Sequence, residues 1–204
     1  VRFAGTFGMT HGSRAGMIFF LAAASIGLIF DGAGLGRMTL CAALLHEAGH
    51  IAVYVLCARR LPALRVRAGG FALRGTESLS KRKELAVLAA GPLVNFLFAA
   101  GCFGFARRHA SYFMYFFAAV HLCVGLYNCL PFGALDGSRI LSALVPVRLN
   151  GALCWFRRTV GILILGFVLS AWVHGVLTPT AAAALVLAFA YLLAQGLFAG
   201  ADLW

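Results

Sequence analysis

The twenty residues from Met38 to Cys57 contain no Lys, Arg or Asp, yet His46, Glu47 and His50 sit near their middle. A run this apolar and this long predicts a helix that crosses a bilayer. On a helix, residues four apart share a face one turn apart, so His46 and His50 stand one above the other. Two imidazoles placed that way suit one zinc ion, and Glu47 lies beside them where a carboxylate can take a proton from an attacking water. Ionisable side chains are expensive in hydrocarbon, and those found there usually mark a functional site. The H-E-x-x-H pattern also occurs by chance in soluble helices. This chain holds only three Glu and six His, and the pattern falls inside an apolar run, which argues against coincidence.

Composition supports a membrane setting. Of 204 residues, 62% are hydrophobic and 11% charged, against roughly 45–50% and 25% in soluble domains. The net charge of +11 comes from 17 Lys and Arg against six Asp and Glu. These basic residues lie in the connections between apolar runs, as topology signals and lipid headgroup contacts do. No basic-aromatic motif or nucleic-acid module accompanies them, so nucleic acid is not an expected partner. The six cysteines form no C-x-x-C pair and mostly lie within apolar runs, where they read as small buried hydrophobes. No cleavable signal peptide is evident, and a chain opening on Val1 leaves room for leading residues.

The expected architecture is an all-α polytopic membrane protein, a single domain over residues 1–204. It has about six transmembrane helices, near 15–31, 38–57, 85–106, 112–130, 159–176 and 179–198. The connection 58–84 holds eight basic residues. Within it, Leu64-Arg65-Val66-Arg67, a Gly69-Gly70 turn and Phe71-Ala72-Leu73-Arg74 predict a short β-hairpin after the second span, with an irregular basic loop as the alternative. Counted by side, fourteen basic residues fall on the face of the termini and the long loop, and three on the other. The positive-inside rule places that richer face in the cytoplasm.

A hydrolytic zinc site takes three protein ligands and leaves a position open. Asp136 is the best available third ligand, since among the six acidic residues only Glu47 and Asp136 lie within or against apolar runs. A Pro and two Gly between Pro131 and Gly137 break the helix there. Non-helical backbone at membrane depth survives where it is buried in protein or lines a wet cavity. Asp136 could equally cap a helix or face water at the membrane edge. Asn95 and Asn128 are candidates for holding a substrate backbone or a developing oxyanion, against the plainer role of bonding helix to helix. His121 and His174 stand alone and His109 flanks a span, so all three read as structural or interfacial. Two other readings remain open. One is a protease of the same pattern whose third ligand is Glu77 or Glu84; the other is a non-catalytic membrane metal-binding or transport protein.

Three motifs, in order, resemble those of the site-2 protease family of intramembrane zinc metalloproteases. They are His46-Glu47-Ala48-Gly49-His50, then Gly91-Pro92-Leu93-Val94-Asn95, then Asn128-Cys129-Leu130-Pro131 leading to Leu135-Asp136-Gly137. Six spans with the first motif in the second span look like the sporulation-type branch. The resemblance implies one zinc ion on His46, His50 and Asp136, with Glu47 as general base. It implies a bacterial cell membrane and cleavage in or near the transmembrane segment of a membrane-tethered regulatory protein. It also suggests that the hairpin offers an edge strand to an unwound substrate. The chain departs from the family in having no PDZ-like insertion between the first two motifs and in Ala134 at a position where proline is common. The first departure leaves substrate delivery and regulation open, with a regulatory membrane partner as one candidate.

Overall fold

The computed structural model describes residues 31–32, 34–67, 70–74, 79–132 and 135–180, with 182–183, 185–187 and 190. Side chains of 63–74 and 147 lie outside that description. The chain divides after Asn128 into two compact units. In the first, α1 (Leu35–Ala58) leads to strands β1 (Ala63–Arg67) and β2 (Gly70–Arg74), then α2 (Lys81–His109) and α3 (Tyr112–Asn128). The strands pair antiparallel from Ala63 opposite Arg74 to Arg67 opposite Gly70. The second unit holds α4 (Asp136–Leu144), a 3₁₀ turn (Val147–Leu149) and α5 (Asn150–Val173).

Among the described residues, α1, α2 and α5 are long and apolar enough to cross a bilayer, and α3 is a shorter apolar helix. These are the parts of an integral membrane protein. The expected span 15–31, but for its last residue, and much of 179–198 lie outside the described residues. The expected span 159–176 differs in its start: α5 begins at Asn150 and carries Arg157 and Arg158 within its first turns. The charges of Arg157 and Arg158 make that stretch look like a connection. Instead Arg157 Nη2 donates to the Ser138 carbonyl at 3.2 Å and to Ser142 Oγ at 2.8 Å. One guanidinium thus ties α5 to α4. Helix α2 likewise overruns its apolar core at both ends. Arg107, Arg108 and His109 in its last turn suit the helix dipole, whereas its first turn sets Glu84 beside Lys81, Arg82 and Lys83.

The three described helices of the first unit are packed inside out relative to a soluble bundle. The buried face of α1 is Ala42, His46, Gly49, His50 and Tyr54, a spacing that traces one helix face. The buried face of α3 is Ala118, His121 and Gly125. Large apolar side chains such as Leu44, Leu56, Leu97, Phe103 and Phe116 point outward and are exposed. Lipid solvates them as well as a core would. Helix association in lipid therefore falls to small residues and polar groups. Gly49 shows the closeness this allows: a Cβ there would lie 2.9 Å from the Ala90 carbonyl oxygen of α2.

The entry to α1 is held from outside the span. Asp31 Oδ2 accepts from the Arg37 backbone N–H at 2.9 Å and lies 3.5 Å from Arg37 Nε. The Arg37 N–H bond is the main cause holding the Asp31 carboxyl below its usual range, with the Arg37 guanidinium adding to it. A carboxylate whose folded pKa is depressed stabilises fully above its unfolded pKa and loses that effect as pH falls through the folded value. Asp31→Asn is expected to lower thermal stability at neutral pH. The gap between variant and parent should close as pH drops below the ordinary carboxylate range, read by circular dichroism melts in detergent. A gap independent of pH would contradict this account.

Candidate metal centre

His46 and His50 are both buried, 4% and 5% exposed. Their four-residue spacing on α1 brings the Nε2 atoms to 3.1 Å, with the rings edge to face. The outer nitrogens are tied down. His50 Nδ1 bonds the Val87 carbonyl of α2 at 2.7 Å, so it carries the proton and leaves a lone pair on Nε2. His46 Nδ1 lies 3.1 Å from Asn95 Nδ2. Metal-binding histidines commonly donate the N–H of the nitrogen that does not ligate, as His50 does here.

Helix α2 supplies both tethers because of its own sequence. Pro92 lies inside the helix, and without an N–H it removes the intrahelical donor to the Leu88 carbonyl and loosens the preceding turn. The Val87 carbonyl in that turn is the one His50 uses. Gly91 faces the pair directly. A Cβ there would lie 2.7 Å from His46 Nε2 and would also press on His50 Nε2. The two ring nitrogens therefore converge on a space that only a glycine leaves open.

Of the sequence candidates, the structure brings His46, His50 and Asn95 together. Asn95 is fully buried and spans the first unit, since its Oδ1 also lies 3.0 Å from His121 Nδ1 on α3. Glu47 is half-buried, one residue along α1 from His46. Asn128 ends α3 and donates to the Val124 carbonyl of its own helix at 3.0 Å. Asp136 lies in the second unit, 7% exposed, in the first turn of α4, where the helix dipole favours a carboxylate. Its neighbour Gly137 packs on the backbone of the preceding turn; a Cβ there would meet the Cys129 carbonyl and come within 2.8 Å of the Leu130 carbonyl oxygen. Glu84 occupies the first turn of α2, and Glu77 lies outside the described residues.

Two participants carry no plain sequence signal. The Val87 carbonyl is backbone. His121 reads from the sequence as an isolated structural histidine, and only its position in the middle of an apolar helix could have drawn notice.

No protein-family model matches the chain. No curated protein matches it either. Among solved structures it is similar to the site-2 protease from Methanocaldococcus jannaschii. The TM-score is 0.59 over 93% of this chain and 93% of that one, at 18% sequence identity. A likeness over nearly the full length of both chains gives this chain the fold of that protease. The three sequence motifs and this shared fold thus point the same way.

Proposed function

We propose that a chain with this fold and this histidine pair is an intramembrane zinc endopeptidase. It hydrolyses a peptide bond in or near the transmembrane segment of a membrane-tethered regulatory protein. The observation that carries this reading is the convergence of two buried imidazole Nε2 atoms at 3.1 Å, each with its outer nitrogen held by α2. A pair of neutral nitrogen donors in a buried, preorganised setting fits zinc.

His46, His50 and Asp136 are the proposed ligands, each offering one donor atom. Support for Asp136 comes from its burial and from the motif that leads to it. When bound, zinc would polarise the scissile carbonyl and favour ionisation of water near neutral pH. The chain's own residues do the rest. Glu47 takes a proton from the attacking water and delivers it to the leaving amine. The tethers on His46 and His50 keep both rings aimed at the shared space. The β1–β2 pair serves as an edge on which an unwound substrate segment adds as a further strand, exposing a peptide bond that a helix would shield. In the proposed topology six spans leave both termini and the basic connection in the cytoplasm of a bacterial cell. A membrane partner regulates substrate access.

The test is metal content together with cleavage. Purified in detergent, the parent is expected to hold one zinc per chain and to cut a tethered model substrate, with chelation stopping the reaction. Asp136→Asn is expected to lose most of the zinc, while Glu84→Gln keeps it. The reverse outcome would move the third ligand to Glu84. Stoichiometric zinc without cleavage of any tethered substrate would favour a metal-binding or transport role.

A further inference from the structure

His121 has no part in the chemistry above, yet it is fully buried. Among the described residues its Nε2 has no hydrogen-bond partner. The ring stacks on Phe98 at 5.1 Å and meets Phe117 edge to face at 4.6 Å. Such a slot suits a phenylalanine. A buried imidazole with one nitrogen unserved loses stability there relative to an apolar ring, so the polar atom that is used, Nδ1 facing Asn95, is the reason to look for a role.

Four hydrogen bonds of the first unit form one line with a single direction. His121 Nδ1–H donates to Asn95 Oδ1 at 3.0 Å, and Asn95 Nδ2–H donates to His46 Nδ1 at 3.1 Å. His46 Nε2–H then donates to His50 Nε2 at 3.1 Å, and His50 Nδ1–H donates to the Val87 carbonyl at 2.7 Å. In this order His46 carries its proton on Nε2. A histidine that ligates through Nε2 must carry it on Nδ1 instead. His50 already has the ligating tautomer; His46 does not.

We propose that His121 is a positioning residue for the metal centre, acting through Asn95 to keep the outer nitrogen of His46 hydrogen-bonded in either tautomer, the ligating one included. The inference rests on the zinc reading given above. With zinc on His46 Nε2, the proton of His46 moves to Nδ1 and donates to Asn95 Oδ1. The Asn95 amide therefore turns end for end, and its Nδ2–H now faces His121. His121 Nδ1 must accept that bond, so the His121 proton moves to Nε2. Both histidines stay neutral, no proton leaves the set, and the two hydrogen bonds that Asn95 makes to α1 and α3 reverse together. His121 matters because its Nδ1 can serve as donor or acceptor. It supports either amide orientation, whereas a phenylalanine supports neither.

Two measurements on the full chain test this, with zinc as the probe. In detergent, His121→Phe keeps a ring between Phe98 and Phe117 but cannot accept from Asn95. It is expected to keep the parent's helical content and to bind zinc about 10–100-fold more weakly in competition with a chromophoric chelator. His121→Asn, whose Oδ1 falls near the place of Nδ1, is expected to recover most of that affinity. The second measurement needs no variant: nitrogen-15 shifts of the parent's histidine rings, with and without zinc. Zinc is expected to move the His121 proton from Nδ1 to Nε2. His121→Phe binding zinc as tightly as the parent, or a His121 Nδ1 that stays protonated with zinc bound, overturns the proposal while leaving the metal centre standing. A parent that takes up no zinc overturns both.

Discussion

Glu47→Gln is expected to bind zinc at the parent's stoichiometry and to lose cleavage of a membrane-tethered substrate by roughly 10²–10⁴-fold, the usual contribution of a positioned general base. The two halves of that result separate the roles on α1. His46 and His50 converge through their Nε2 atoms, and Glu47, one residue on, points about 100° further round the helix. A residue displaced that far from the ligand face need not hold metal, but it can reach a water or a leaving group beside it. Glutamine keeps the length and most of the hydrogen-bonding capacity of the side chain and removes only its basicity. Equal cleavage by variant and parent would remove Glu47 from the chemistry. Loss of zinc along with cleavage would make it a ligand or a fold determinant instead.

What could be read from the sequence divides along a physical line. His46, Glu47 and His50 are legible because their geometry is local: four residues on a helix fix two imidazoles on one face whatever surrounds them. The apolar helices of the first unit are legible for the same reason, since length and hydropathy decide them. Asn95 was visible as a polar residue in an apolar run, but its work was not. It lies 49 residues from His46 and 26 from His121, and only the packing of three helices makes those separations meaningful. The start of α5 at Asn150 was hidden by Arg157 and Arg158, whose charges look like a connection until Arg157 is seen bonded to Ser138 and Ser142. A long cationic side chain can extend from a helix to a polar patch, and sequence pattern alone does not say that it has one to reach.

Gly91→Ala is expected to weaken zinc binding by at least about tenfold while leaving helical content unchanged or slightly raised. Alanine is the better helix former by about 1 kcal/mol, so α2 itself has no reason to unfold. The damage is steric and falls on the ligand atoms. The new methyl would sit 2.7 Å from His46 Nε2 and against His50 Nε2, in the space on which both donor lone pairs must converge. Neither side can yield easily. The rings are held from behind by Asn95 and the Val87 carbonyl, both on the same helix as the intruding methyl. Moving α2 away to relieve the contact would carry those tethers with it. It would also break the contact of Gly49 with Ala90, where a Cβ at 2.9 Å from the carbonyl oxygen shows how closely α1 and α2 approach. Gly101→Ala is the matched control, because a Cβ at that position on the same helix meets none of the described residues within 4 Å. Zinc titration of the two variants in parallel should show the loss at Gly91 alone. Parent-like affinity at Gly91→Ala would mean that the metal does not sit on the Nε2 face of this pair, and the third ligand would then have to be sought on another side of α1.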